Sequence, residues 1–151
     1  MNSDFKDLLR AFNARGVRYL VVGGYAVIKY TEPRYTKDLD LLISREGDNP
    51  QRIMQALRDF GAPLTNVTAE DFSKEGVFYQ IGVAPNRIDI ITSASGLDFE
   101  AAYARREDSS IGDFSVPFIA REDLIDAKLA AGRPQDLVDA GALAKGKKAR
   151  R

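Results

Sequence analysis

Residues 17–44 decide the fold, and they read VRYLVVGGYAVIKYTEPRYTKDLDLLIS. β-Branched and aromatic residues from Val17 to Val22 predict a short strand that ends abruptly at Gly23-Gly24. Helix-compatible residues follow from Tyr25 to Tyr30, and Lys37 to Ser44 has the alternation of a second strand. The predicted order is therefore strand, glycine pair, helix and strand.

The rest of the chain alternates between helix and strand patterns. Helices are predicted for Ser3 to Gly16, Asn49 to Gly61, Leu97 to Arg106, Glu122 to Ala131 and Pro134 to Ala144. The predicted N-caps of the first two are Ser3 and Asn49. Strands are predicted for Val77 to Val83, Arg87 to Thr92 and Phe114 to Ile119, and the turn Ala84-Pro85-Asn86 joins the first two into a hairpin.

A hairpin argues against a doubly wound parallel sheet. The predicted fold class is therefore α/β (α+β), a mixed β-sheet of about 4–5 strands flanked by helices. We expect one domain, residues 1–144, followed by a basic, disordered tail, residues 145–151.

The composition of the 151 residues excludes several kinds of chemistry. The chain contains neither cysteine nor histidine, which excludes disulfides, thiolate and imidazole metal sites, cysteine nucleophiles and the Ser-His triad. The longest uncharged apolar run, Tyr19 to Ile28, is far shorter than the ~20 residues of a membrane span, and the charged N-terminus is unlike a signal peptide. We therefore expect a cytoplasmic protein without a membrane partner, whose chemistry depends on carboxylates, Lys, Arg, hydroxyls or the backbone.

The formal net charge is zero, but its distribution is uneven. The tail contains five cations, Lys145, Lys147, Lys148, Arg150 and Arg151, so residues 1–144 have a net charge of −5. Such a tail can contact RNA phosphates, although charge clusters without interleaved aromatic residues are more often solubilising or disordered ends.

Gly23-Gly24 is the first candidate ligand site. Two residues without Cβ let a backbone approach a ligand and expose amide donors at a helix N-terminus, an arrangement suited to a triphosphate. A tight turn with positive φ explains a glycine pair equally well. The sequence has neither the P-loop nor the dinucleotide-binding fingerprint, so a P-loop kinase or a dehydrogenase has no support.

Asp38 and Asp40 form the second candidate site. They lie two residues apart on a predicted strand, so their side chains leave the same face while Leu39 points the other way. Carboxylates this close repel each other, which raises at least one pKa unless a cation lies between them. Oxygen-only ligation favours Mg²⁺ or Mn²⁺ over Zn²⁺. The alternative is a solvated strand end with two surface acids.

Asp89 is an isolated acid within a strongly apolar predicted strand, where a charge is costly unless it is paired or metal-bound. If this strand neighbours the one that carries Asp38 and Asp40, three carboxylates converge. Two-metal nucleotidyl transfer needs such an arrangement, with ions about 3.5–4 Å apart. The alternative is an edge-strand acid, or a salt bridge in the neighbourhood of Arg87.

Several stretches resemble the polymerase-β-like nucleotidyltransferase superfamily. Val21 to Val27 (VVGGYAV) and Arg34 to Ile43 (RYTKDLDLLI) look like its glycine motif and D-x-D strand, and Asp89 falls where that superfamily places its third carboxylate. Lys128 to Asp139 (KLAAGRPQDLVD) is similar to the Lys and Asp-x-x-Asp helices of the AbiEii/MenT-like toxin group. The combination covers most of residues 17–140 and is more specific than any of its parts.

The resemblance implies a nucleotidyltransferase fold, dependence on Mg²⁺ (or Mn²⁺), and transfer of a nucleoside monophosphate from an NTP to a hydroxyl of RNA, such as a tRNA end, or of a protein. It also implies a toxin–antitoxin or phage-defence system with a cognate antitoxin or toxin as partner. The implied site residues are Gly23 and Gly24 on the β,γ-phosphates, Asp38 and Asp40 as ligands of both metals, Asp89 as general base or metal ligand near the acceptor, Lys128 opposite phosphate charge with Asp136 supporting it, and Arg34 and Lys37 at the triphosphate.

Two features depart from the family pattern. Many members have Gly-Ser where this chain has Gly23-Gly24, and the toxin-like members carry a longer C-terminal helical region. The main alternative is therefore a catalytically inactive nucleotide- or partner-binding module of the same fold, and a plain interaction protein is another. For the C-terminal motif, the alternative is that Lys128 is a solvated helix residue and that Asp136 and Asp139 favour a helix N-terminus.

Overall fold

The computed structural model describes residues 1–32, 38–83 and 86–149, and side chains through Lys145. Its helices are α1 (Ser3–Ala14), α2 (Gly23–Tyr30), α3 (Asn49–Phe60), α4 (Phe99–Ala104), α5 (Arg121–Ala131) and α6 (Pro134–Ala149), with a 3-10 turn at Asp71–Ser73. Its strands are β1 (Tyr19–Val22), β2 (Leu39–Ile43), β3 (Phe78–Ile81), β4 (Ile88–Ile91), β5 (Glu107–Ile111) and β6 (Phe114–Phe118).

The strands form one mixed sheet in the order β3-β4-β2-β1-β6-β5. The β2/β4 and β1/β6 pairs are parallel, and the β1/β2, β3/β4 and β5/β6 pairs are antiparallel. The predicted mixed α/β architecture and the β3/β4 hairpin are therefore confirmed. Ala84 and Pro85 of the predicted turn lie outside the described residues.

The described residues contain six strands, slightly more than the 4–5 that the sequence predicts. The additional strand is β5, whose sequence EDSSI has no apolar alternation. It lies at an edge of the sheet and is mostly exposed, so it has no buried face to mark it in the sequence.

Two predicted helix caps are wrong by one residue. Asn2, not Ser3, is the N-cap of α1, and its side chain accepts a hydrogen bond from the Phe5 amide at 2.9 Å. Asn49 lies inside α3, where its buried side chain accepts from the backbone amide of Arg18 and donates to the carbonyls of Arg18 and Ser44. Asn49 therefore ties α3 to the β1 and β2 ends instead of capping its own helix.

The core lies around the central strands. All four residues of β1 are buried, and in β2 only Asp40 interrupts the buried pattern. Helix α1 packs on α3 and α5 packs on α6, while α2 contacts both β1 and β2. A charged side chain in a buried strand loses hydration free energy unless it has a partner or a ligand. Asp40 is therefore a candidate functional residue of the sheet.

The C-terminal helix α6 continues past the predicted end at Ala144 to Ala149. The domain boundary at residue 144 and the disorder of the tail, residues 145–151, stay predictions. No helix in the part of the chain that the structure describes is long and apolar enough to cross a membrane.

Candidate active site

A cleft of about 440 Å³ opens between the sheet and α5. The sequence-predicted site residues that the structure describes all line it: Gly23, Gly24, Asp38, Asp40, Asp89, Lys128 and Asp136. Arg34 and Lys37 lie outside the described residues, so their contact with a triphosphate stays a prediction. The catalytic, nucleotide-binding and metal-binding roles of the lining residues also stay predictions at this point.

Parallel pairing of β2 with β4 brings the acids together. Asp40 and Asp89 are direct register partners, so their side chains leave the same face of the sheet. Asp38 immediately precedes β2, with a side chain about a third exposed, whereas Asp89 is buried. The sheet therefore gathers the carboxylates at the amino ends of two neighbouring strands.

The glycine pair lies directly beside this cluster. Val22 pairs with Asp40 across the β1/β2 ladder, and Gly23 then begins α2 with φ of +69°. A Cβ at Gly23 would lie 2.0 Å from Oδ2 of Asp40, closer than any side chain permits. The helix start has no side-chain cap, so the positive end of the α2 dipole adjoins the carboxylates. Both readings of the glycine pair are thus compatible with the structure: the turn needs positive φ, and it places amide donors at the cleft.

Arg87 pairs with two of the three acids. Its guanidinium donates to both carboxylate oxygens of Asp89, Nε to Oδ1 at 2.9 Å and Nη2 to Oδ2 at 3.2 Å. Nη2 also lies 3.3 Å from Oδ2 of Asp38, and the Arg87 amide lies 3.4 Å from Oδ1 of Asp38. The salt bridge considered as the alternative for Asp89 therefore exists, and it lies within the acidic cluster.

Asp40 has a strongly perturbed titration. Burial, with the neighbouring Asp89 and Asp38 carboxylates and against the opposing effect of Lys128, raises the pKa of Asp40 to about 7. Within the described part of the chain, no cation forms an ion pair with Asp40. Among the residues that the structure describes, the cluster therefore has more negative charge than its neighbours neutralise.

The donor chemistry of this cluster fits a hard divalent cation, because Asp38, Asp40 and Asp89 supply oxygen atoms only and repel one another. Across the described ranges, however, no three acidic side chains are already arranged to hold a metal ion. The Arg87 guanidinium lies between the carboxylates of Asp38 and Asp89. The residues fit the ion chemically, provided that this guanidinium moves.

Lys128 projects from α5 at the other wall of the cleft. Its Nζ lies 3.1 Å from Oδ2 of Asp139 and 3.5 Å from Oδ1 of Asp136, and its side chain is only 15% exposed. Asp136 also accepts from the backbone amide, Nε and Nη2 of Arg133, and the Arg133 side-chain hydrogen bond lowers the pKa of Asp136. Lys128 is therefore a half-buried cation held by two carboxylates and not a solvated helix residue.

Sequence reasoning gave neither Arg87 nor Asp139 a role in the site. Arg87 precedes Asp89 by two residues, so strand alternation places both side chains on the same face. Asp136 and Asp139 are three residues apart, the spacing that puts two side chains on the same helix face, towards Lys128. Both signals were present in the sequence, but the contacts with Asp38 and Lys128 depend on the tertiary fold.

The cleft also has an apolar end. Phe78 on the edge strand β3 is 54% exposed, and it lines the cleft together with Ile91, Leu97 and Leu124. Phe78 pairs with Ile91 two residues beyond Asp89 on β4, so this end lies past Asp89 as seen from the glycines.

The fold matches solved nucleotidyltransferase structures. A lincosamide antibiotic adenylyltransferase, LnuA, in a lincomycin-bound crystal structure is 16% identical, with a TM-score of 0.60 over 95% of this chain and 96% of that chain. ANT(2")-Ia in complex with adenylyl-2"-tobramycin is 16% identical, with a TM-score of 0.58 over 93% and 84% of the two chains. An antigenic nucleotidyltransferase-like protein from Paracoccidioides brasiliensis is 13% identical, with a TM-score of 0.55 over 95% and 74%. At these identities the likeness shows the fold alone.

Comparison with protein-family sequences identifies the family of the chain, which the fold alone does not. No curated protein matches the chain. The family described as "Nucleotidyl transferase AbiEii toxin, Type IV TA system" matches residues 7–150, which is nearly the whole chain and includes both walls of the cleft. The resemblance to polymerase-β-like nucleotidyltransferases is confirmed, and this chain belongs to the AbiEii nucleotidyl transferase toxin family of type IV toxin–antitoxin systems.

Proposed function

We propose that this nucleotidyltransferase is Mg²⁺-dependent and transfers a nucleoside monophosphate from an NTP to a hydroxyl of RNA, such as a tRNA end, or of a protein. The observation that carries the proposal is the register pairing of Asp40 with Asp89 directly beside Gly23 at the start of α2. A carboxylate cluster and a helix N-terminus of the kind that can bind phosphate line the same cleft, which supports the proposal.

In this proposal the amide groups at Gly23 and Gly24 hold the β,γ-phosphates, and Arg34 and Lys37 add charge at the triphosphate. Asp38, Asp40 and Asp89 would hold Mg²⁺, which would neutralise charge on the attacking and leaving oxygens. Manganese would serve as well, because Mn²⁺ also prefers oxygen ligands. Lys128, held by Asp136 and Asp139, faces the same cleft and offsets phosphate charge.

The transfer itself is an in-line displacement. The acceptor hydroxyl oxygen forms a bond to the α-phosphorus, the bond from that phosphorus to the bridging oxygen of the β-phosphate breaks, and pyrophosphate leaves. In this proposal Asp89 takes the hydroxyl proton as general base or acts as a metal ligand. The register pairing of Asp89 with Asp40 and the burial of Asp89 on β4 keep its carboxylate on the cleft side of the sheet.

The family context supports further proposals about partners. Because the family consists of toxins of type IV toxin–antitoxin systems, we propose a cognate antitoxin for this chain. We also propose a cytoplasmic location, since NTPs and tRNA are found there.

The test is incubation of the purified protein with each of the four α-labelled NTPs in cell lysate, followed by separation of RNA from protein. We expect label to enter one of the two fractions with Mg²⁺ and not with a chelator. An Asp89→Asn variant is expected to lose the labelling while it keeps its far-ultraviolet circular dichroism. Labelling that survives both the chelator and this variant would overturn the proposal.

One observation favours a second function, the catalytically inactive binding module. Arg87 already pairs with Asp38 and Asp89, as a cation would in a chain that has no use for metal. For such a module, an NTP is expected to raise the melting temperature of the protein by mass action, while no label enters RNA or protein.

A further inference from the structure

We propose that Arg87 is an internal counter-ion that competes with the divalent cation for Asp38 and Asp89, and that it must leave these carboxylates before the cation binds. This inference rests on the proposed function, because it concerns the same carboxylates. It makes Arg87 a positioning residue that sets the metal affinity of the nucleotide-free protein.

The contacts of Arg87 support direct competition. Three of its hydrogen bonds, at 2.9, 3.2 and 3.3 Å, go to carboxylate oxygens of Asp89 and Asp38 that metal ligation would require. A guanidinium fork and a divalent ion cannot lie between the same carboxylates, because they exclude each other sterically and repel each other electrostatically. Binding of one therefore requires displacement of the other.

Arg87 also has room to move. Its side chain is a third exposed and lines the cleft, whereas Asp89 is almost completely buried on β4. The mobile partner of the pair is therefore the arginine, and the fixed partner is the aspartate. Once released, the guanidinium remains on the cleft that is proposed to take the triphosphate, and it is a bidentate donor suited to phosphate.

A single arginine has too little positive charge to neutralise the three carboxylates of the cluster. Arg87 pairs with Asp38 and Asp89, and in the described ranges Asp40, next to Asp89, forms no ion pair. Asp38, Asp40 and Asp89 could share a divalent cation, which would supply two positive charges where Arg87 supplies one. The exchange is favourable for this reason, although it breaks the ion pairs of Arg87.

Arg105 provides a matched control. It donates through Nε and Nη2 to both carboxylate oxygens of buried Asp123, at 3.0 and 2.8 Å, which reproduces the geometry of the Arg87–Asp89 pair. Neither Arg105 nor Asp123 lines the cleft. When the Arg105 guanidinium is removed, buried Asp123 loses its ion-pair partner just as Asp89 does in an Arg87 variant. No proposed metal ligand is affected.

The experiment is titration of the nucleotide-free protein with Mn²⁺ alone, followed by electron paramagnetic resonance of the free ion. We expect Arg87→Gln to bind Mn²⁺ about tenfold more tightly than the wild type, since a unit positive charge is removed at contact distance. Arg87→Lys keeps the charge but loses the fork, and its affinity is expected to lie between the two. Arg105→Gln is expected to bind Mn²⁺ like the wild type.

Thermal unfolding gives a second readout. Without metal, Arg87→Gln is expected to melt below the wild type, because Asp89 loses its partner; saturating Mn²⁺ is expected to narrow that difference. Arg105→Gln is expected to melt below the wild type by the same margin with and without Mn²⁺. These measurements need no activity, and circular dichroism reports whether each variant is folded. If Arg87→Gln does not fold, Arg87→Lys provides the comparison.

Unchanged or weaker Mn²⁺ affinity in both Arg87 variants would overturn the inference and leave the proposed function intact. If neither the wild type nor the variants bind Mn²⁺, the metal dependence in the proposed function fails together with the inference.

Discussion

Two groups of carboxylates lie at the same cleft, one on the strands and one on the helices, and their surroundings differ. On the helices, Asp136 and Asp139 are each 2% exposed, and both contact Lys128, while Asp136 also pairs with Arg133. On the strands, Asp89 is 3% exposed and shares Arg87 with Asp38, and Asp40 is next to them. In the part of the chain that the structure describes, each helix carboxylate contacts a cation, whereas Asp40 on the strands forms no ion pair.

The pKa values express this difference. Hydrogen bonding to Arg133 lowers the pKa of Asp136, whereas burial and the neighbouring carboxylates raise the pKa of Asp40 to about 7. A carboxylate that its surroundings stabilise belongs to the framework of the fold, and one that they destabilise is a candidate for function. We therefore propose the strand cluster as the reactive half of the cleft, whereas the helix cluster holds Lys128 by ion pairs.

The largest expected effect is on catalysis by the strand cluster. Asp40→Asn is expected to lower the rate of label transfer from NTP by about 10³-fold or more, because it removes a ligand for the cation that neutralises phosphate charge. The measurement is the initial rate of labelling in the lysate assay. Asp123→Asn removes a buried carboxylate outside the cleft and is expected to keep its rate per folded molecule. Equal rates for Asp40→Asn and wild type would remove the strand cluster from the chemistry.

The next effect concerns the stability of the helix cluster. Asp136→Asn is expected to lower the free energy of unfolding by about 2–3 kcal/mol, because it leaves Lys128 with a single carboxylate and Arg133 without one. Urea unfolding at pH 7 measures the change. The exposed Asp126→Asn variant on the neighbouring helix is expected to change stability little. A loss of transfer activity in Asp136→Asn without any loss of stability would mean that Asp136 acts on the nucleotide instead of on Lys128.

The sequence was sufficient for the parts of this site that depend on local pattern. Gly23-Gly24 between a strand and a helix, and the alternation of Asp38, Leu39 and Asp40, fix local geometry through φ and the two-residue strand period. Asp89 lies next to Asp40 because β2 and β4 pair in parallel. From the sequence, this proximity could be stated only on the assumption that the two strands are neighbours.

Other features were not predictable, because competing partners decide them. Asn49 has the residue type and position of a helix cap, yet its side chain bonds to the backbone of the strand ends, which no local rule anticipates. Strand β5 forms because the exposed edge of β6 offers it backbone partners, and its own side chains contribute little burial. The pairing of Arg87 with Asp38 likewise joins residues that lie 49 positions apart in the chain.

The smallest expected effect is the pH dependence that separates the two clusters. The pKa of Asp40 is about 7 in the folded protein against an ordinary value of 3.8, so ionisation is less favourable in the folded state than in the unfolded state. The contribution of Asp40 to the free energy of unfolding is therefore most favourable below pH 3.8, where the carboxyl is protonated in both states. It is lost as the pH rises through about 7, the pKa in the folded protein. In metal-free buffer, Asp40→Asn is therefore expected to be more stable than the wild type at pH 8 by ~1–2 kcal/mol, and this advantage shrinks towards pH 4.

Asp136→Asn is expected to show the opposite trend, which makes it the control. The lowered pKa of Asp136 contributes stability that is present above its unfolded pKa and is lost as the pH falls through its folded value. The deficit of Asp136→Asn relative to wild type should therefore shrink in acid, where the wild-type carboxyl is protonated. Urea unfolding of the three proteins from pH 3 to pH 8 measures both trends. Parallel curves for the two variants would show that the strand and helix carboxylates are equally neutralised, and the division of the cleft into a reactive and a structural half would then fail.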